Sequence, residues 1–131
     1  MNLPNANRYA KMARVIDGDT FVAVIYLADD ITVRKPVRVF GVDTPEKFRP
    51  FNAFEKQHGM QATAYAKKVL KGRTLVLEAV KNEDKYGRHL AKVWVDMDGI
   101  WRDLASLLIS AGLYKRTRTE YSNNWEMSHV E

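Results

Sequence analysis

The sequence predicts a single α+β domain, mainly β, whose elements run βββαββα. Three observations carry that prediction. Runs of β-branched and aromatic residues, broken by Asp-Gly and Asp-Asp turns, fill the first third of the chain and return after Thr74, as strands do. Two segments with apolar residues at helical spacing each stop at a glycine, Gly72 and Gly112. The chain has 131 residues, 46% of them hydrophobic, which suits one core and is too short for two.

The elements follow in order. Arg14-Val15-Ile16 leads into an Asp17-Gly18 turn, and Thr20 to Leu27 is apolar and β-branched enough for a buried strand. Ala28-Asp29-Asp30 reads as a hairpin turn. Ile31 to Val42 continues as a third strand with Ile31, Val33, Val37 and Val39 on one parity, while Pro36 demands an edge, a bulge or a break. Lys47 to His58 mixes Pro50, Asn52, charges and three phenylalanines without a period and is expected to be a long loop. Gly59 to Leu70 forms the first helix, Thr74 to Val80 and His89 to Val95 the fourth and fifth strands, and Ile100 to Ala111 the second helix. Ile16, Val22, Val39, Leu75, Val93 and Leu108 are the expected core. Residues 1–131 are taken as one domain, with 1–10 and 119–131 as loose tails.

Composition narrows the function classes. Without cysteine there is no disulfide and no thiolate metal site, and three scattered histidines leave oxygen as the favoured metal donor. A formal charge of +5 favours anionic partners such as nucleic acid. The start, Met1-Asn2-Leu3-Pro4, lacks the basic and apolar regions of a signal peptide, and no run reaches the length of a membrane span. The expectation is a soluble, cytoplasmic monomer.

Three short motifs carry chemistry. Asp17-Gly18-Asp19-Thr20 and Asp43-Thr44-Pro45-Glu46 supply carboxylates for a hard cation, and Arg38 and the Arg88 of Asp84-Lys85-Tyr86-Gly87-Arg88 supply guanidinium groups for a phosphate. Each taken alone also reads as an ordinary charged turn between strands. An EF-hand is excluded, because Phe21, Ala23 and Leu27 fall where that loop needs oxygen ligands. Arg38 and Asp43 are five apart, so an unbroken strand would send them to opposite faces; a common site requires the strand to end or bulge near Gly41.

Together and in this order, the three motifs resemble the staphylococcal nuclease family over about residues 12–115. The resemblance implies a five-stranded OB barrel with two helices packed against it. It also implies a calcium-dependent endonuclease that cuts single-stranded or frayed DNA and RNA with little base specificity and leaves 3′-phosphates. Asp19, Asp43 and the Thr44 main-chain carbonyl would ligate calcium, Glu46 would act on the attacking water, and Arg38 and Arg88 would hold the phosphate. Asp17 would support the site, and Lys85 and Tyr86 would contact a terminal phosphate. The alternative is a non-catalytic OB module that binds nucleic acid or protein.

The chain departs from the best-known member of that family after the second helix. Arg118 and Glu120 stand where tyrosines of a base platform are found there, leaving Tyr114 or Tyr121 as substitutes. No long third helix fits, so a short helix or a loose tail is expected, with Trp125 as its docking residue. His58, His89 and His129 match no catalytic position and read as packing or surface residues.

Overall fold

In the computed structural model, residues 7–123 are described, and they build a closed β-barrel with helices against it. Strands β1 (Asn7–Asp17), β2 (Thr20–Ala28) and β3 (Ile31–Val39) form an antiparallel meander. Helix α1 (Ala53–Leu70) crosses to β4 (Leu75–Lys81), which pairs with β1 on one side and β5 (His89–Met97) on the other. A short parallel pairing of Val37–Val39 with His89–Ala91 closes the ring. This is the OB-type barrel expected, its closure carried by three residues of β3, so that residues 31–36 keep a free edge. Pro36 falls just before that pairing starts, where β3 has gained no second neighbour.

The core lies inside the barrel: Phe21, Ala23 and Ile25 from β2, Val37 and Val39 from β3, Leu75 and Leu77, and Val93 and Val95. Leu104 and Leu108 of helix α2 (Leu104–Ser110) complete it. Val39, Leu75, Val93 and Leu108 are core as expected, whereas Ile16 and Val22 are only half-buried. In β2 the opposite parity faces inward, because the small Ala23 lies between Phe21 and Ile25 on the packed side. Ile31 and Val33 are exposed at the free end of the hairpin.

Three boundaries differ from the sequence reading, and of the two alternatives left open after α2 the short helix is found. β1 begins at Asn7, so residues 7–10, expected in a loose tail, are held by Glu78–Leu75 of β4. α1 begins at Ala53 and not at Gly59: the Asn52 side chain caps it by accepting from the Glu55 N–H, and Glu55, His58 and Thr63 lie on its buried stripe. Polar residues on the inner face hid the period. Ile100–Asp103 is a sixth strand, β6, folded back on β5 through Asp98 (φ 58°) and Gly99 (φ 89°), the two positive-φ positions of a tight hairpin. Residues 118–122 form a short helix, α3 (Arg118–Ser122), started by a Thr117/Glu120 capping box. Trp125 and His129 lie outside the described residues. No helix among the described residues is long and apolar enough to cross a membrane.

Candidate active site

The end of β3 decides the geometry. Pairing stops at Val39, and Gly41 takes φ 99°, a left-handed value suited to glycine, so the chain turns before Asp43. Arg38 and Asp43 thereby meet although their spacing in a strand would part them: Arg38 Nη2 donates to Asp43 Oδ1. The same nitrogen lies 3.4 Å from Asp19 Oδ2, and Nη1 donates to the carbonyls of Val39 and Val42. Asp19 Oδ2 also accepts from the Thr44 N–H at 2.9 Å, and Asp19 Oδ1 accepts from the Thr20 hydroxyl at 3.1 Å. Two motifs 25 residues apart are therefore tied into one cluster, with Asp19 side chain 13% exposed and Asp43 78% exposed.

Two glycines make this contact possible. A Cβ on Gly18 would lie 2.8 Å from both Thr44 Cγ2 and Ala62 Cβ, so the Asp17–Asp19 turn can press against Thr44 and α1 only with glycine there. A Cβ on Gly59 would lie 2.7 Å from the Pro45 carbonyl oxygen, so α1 packs directly on the backbone leading into Glu46. Asp17-Gly18 is thus more than a hairpin dipeptide.

Burial pushes the Asp17 carboxyl up to about 7, aided by the hydrogen-bonded and charged Asp19 beside it and by the charge of Glu46. Glu46 is half-buried, and its own backbone N–H donates to Glu55 Oε2 at 3.0 Å. Glu55 is 1% exposed; its other oxygen accepts from the Phe51 N–H at 2.7 Å, and Lys115 Nζ lies 3.6 Å from Oε2. Lys115 in turn donates its backbone N–H to the Asp43 carbonyl at 2.8 Å. One buried carboxylate therefore folds the 46–51 loop and links it to the segment after α2. Sequence reasoning placed Glu55 in a loop and missed it; the Asn52/Glu55 spacing of a capped helix start was the available signal.

The second wall is local. The Asp84 carboxylate accepts the backbone N–H groups of Tyr86 and Arg88, at 2.8 and 2.9 Å, and the Arg88 Nε–H at 2.9 Å. Partial desolvation opposes ionisation of Asp84, but these donors outweigh it and hold its carboxyl below the usual value. Gly87 closes the turn at φ 78°. Arg88 is thereby aimed by Asp84, a residue of the motif given no role from sequence.

Arg38, Asp43, Asp84 and Arg88 line a single open cleft of about 460 Å³ floored by Val39, Val42 and Leu90. Lys85 and Tyr86 sit on the exposed turn beside it, with Lys85 Nζ 5.1 Å from the Tyr86 ring centre. Of the two tyrosines considered for a base platform, Tyr121 is ruled out: it is 1% exposed and its hydroxyl bonds His58 Nδ1 at 2.7 Å. Tyr114 is exposed, with the Arg116 guanidinium 3.8 Å from its ring centre. His58 and His89 are buried packing residues, bonded to the carbonyls of Gly112 and Asn82.

All the candidate cation donors, Asp19, Asp43 and the Thr44 carbonyl, are hard oxygens of the kind calcium takes. Among the described residues no three His, Asp or Glu side chains converge into a closed metal cage. In donor chemistry the set suits a hard cation.

Residues 36–131 match the family described as staphylococcal nuclease homologue. The chain is 34% identical to a thermonuclease of Staphylococcus hyicus over 98% of its own length and 74% of that protein. It is 41% identical to a thermonuclease of Staphylococcus intermedius over 63% of this chain and 46% of that one. It is 42% identical to endonuclease YncB of Bacillus subtilis over 90% of this chain and 54% of that protein.

Proposed function

Because this chain belongs to the staphylococcal nuclease homologue family, we propose that it hydrolyses phosphodiester bonds of DNA and RNA as a calcium-dependent endonuclease of low base specificity, leaving 3′-phosphates. The observation that carries this reading is the cleft in which Arg38 and Arg88 share one wall-to-wall space with Asp43. A phosphate seated there meets a guanidinium on each side, and both can bond its equatorial oxygens more strongly as charge gathers on them in the transition state. Arg88 is presented for this by Asp84. Arg38 holds Asp19 and Asp43 together and takes phosphate on exchanging its Asp43 bond. Asp19, Asp43 and the Thr44 carbonyl would hold the calcium, which when bound supplies Lewis-acid charge next to the phosphate. Glu46, fixed through its backbone by Glu55, accepts the proton of the attacking water while the P–O5′ bond breaks, and solvent protonates the departing hydroxyl.

The test is plasmid nicking with calcium, magnesium and chelator side by side, on the parent and on Asp43→Asn/Glu46→Gln. Cleavage should need calcium at about millimolar concentration, as open oxygen sites do. The double variant should lose turnover while keeping its fold and its single-strand binding. Cleavage that persists in chelator removes the calcium assignment. Strand binding without cleavage under any metal would make the protein a non-catalytic OB module.

A further inference from the structure

The loop between Glu46 and α1 exposes aromatic rings that no core accounts for. Phe48 is 66% exposed and Phe51 44% exposed, whereas Phe54, three residues on, is half-buried. Neither exposed ring hangs on a loose tether, for the Glu55 carboxylate holds the N–H of Glu46 and that of Phe51 at once, and Asn52 starts the helix immediately after. Each ring has a cation against it: Lys47 Nζ lies 4.7 Å from the centre of Phe48, and the Arg118 guanidinium 5.0 Å from that of Phe51.

We propose that Phe48 and Phe51 form a base-stacking subsite, on which unpaired bases of a single strand lie as the strand leaves the cleft past Glu46. The proposal rests on the nucleic-acid reading above and names a part of the surface that reading does not use. A fixed ring with a cation over one side offers its other side to a base and the cation to the phosphate that follows. Alternation of rings and cations is what a flexible single strand, with its alternating bases and phosphates, can match. A duplex keeps its bases stacked on one another and has none to offer. Basic-aromatic loops also dip into membrane surfaces, but there the rings must project below the cations. Here the cations lie over the rings.

The experiment measures anisotropy of a labelled short oligothymidylate in chelator, so that nothing is cut, with the full chain and its Phe48→Ala, Phe51→Ala and double variants. An abasic strand of equal length, a duplex and vesicles of phosphatidylcholine with a minority of phosphatidylserine are run in parallel, with thermal unfolding as the control on folding. Each single change should weaken oligothymidylate binding about five-fold or more, and the double change about the product, the range set by stacking of one base on one ring. Abasic-strand affinity should not change between parent and variants. Equal losses on the abasic strand, or no loss on either, overturn the subsite while leaving the nuclease reading intact if the parent binds and cuts. Phenylalanine-dependent vesicle binding with unchanged strand binding overturns it in favour of a lipid surface. A parent that binds no strand at all removes both.

Discussion

The two walls of the cleft are built in opposite ways. The Arg38 wall is assembled from distant parts of the chain: Asp19 and Thr44 are 25 residues apart, Lys115 reaches Asp43, and α1 is pressed in through Gly59. The Arg88 wall is five consecutive residues, Asp84 to Arg88, folded around one carboxylate. A wall wired through the whole fold couples chemistry to stability. A wall that organises itself can fail chemically without the fold noticing.

The arginines test this most strongly. Replacing either Arg38 or Arg88 with Gln should lower kcat by about 10² to 10³, the size of a lost transition-state donor, with a smaller change in KM. Only Arg38→Gln should also destabilise the protein, because it strips the counter-charge from Asp19 and Asp43 and leaves two carbonyls without their donor. Steady-state kinetics beside chemical denaturation would show it. Equal stability losses in the two variants would erase the distinction between the walls, and an effect confined to KM would make both arginines mere substrate holders.

Glu55 sharpens the comparison from behind the first wall. Gln in its place keeps the shape but sets an amide donor against one of two backbone N–H groups and removes the charge facing Lys115. Stability should fall by about 2–3 kcal/mol, as for a buried charged acceptor lost. kcat should fall with it, since the Glu46 backbone loses its anchor, and Glu55→Asp should not restore it. If kcat holds while stability drops, the carboxylate serves folding alone.

The same contrast governs what could be read from the sequence. The Asp84–Arg88 turn was legible because its partners lie within five residues, and so were the strand pattern, the helix stops at Gly72 and Gly112, and the break near Gly41 forced by the Arg38–Asp43 spacing. The start of α1 was not legible, because Glu55 and His58 are polar residues facing inward, and only tertiary partners, the loop N–H groups and Tyr121, explain them there. β6 was hidden because its four largely exposed residues carry no inward pattern of their own and take their structure from pairing with β5. Tyr121 looked available until the fold put it against His58. The roles of Gly18 and Gly59 depend on approaches between α1, Thr44 and Pro45 that no local pattern encodes.

The smallest effect separates the walls by pH. His58 braces the first wall: Nε2 meets the Gly112 carbonyl at 2.9 Å and Nδ1 the Tyr121 hydroxyl, and that hydroxyl accepts from the Arg116 N–H. His89 adjoins the second wall, next to Arg88. Burial lowers both imidazole pKa values from the ordinary 6.5. For His58 the Arg116 charge adds to the lowering while the Gly112 carbonyl and Glu55 oppose it; for His89 the Asn82 carbonyl opposes while Lys35 and Arg8 add. The unfolded chain then binds more protons than the folded one below pH 6.5, so each histidine withdraws stability as pH falls from 6.5 toward its folded pKa, by at most about 1.4 kcal/mol per pH unit. Asp17 works the other way, since its folded value of about 7 exceeds the unfolded one and protonation favours the fold as pH drops. The parent's slope is a difference of these contributions, and the informative quantity is the change in slope. Urea unfolding across mildly acidic pH should become less acid-sensitive in His58→Gln and in His89→Gln alike. Activity at neutral pH should fall further in His58→Gln, because only that imidazole holds the segment carrying Lys115 against Asp43. A His58→Gln profile parallel to the parent's would mean that the imidazole titrates alike in the folded and unfolded states, and the brace would then be geometric without being pH-sensitive.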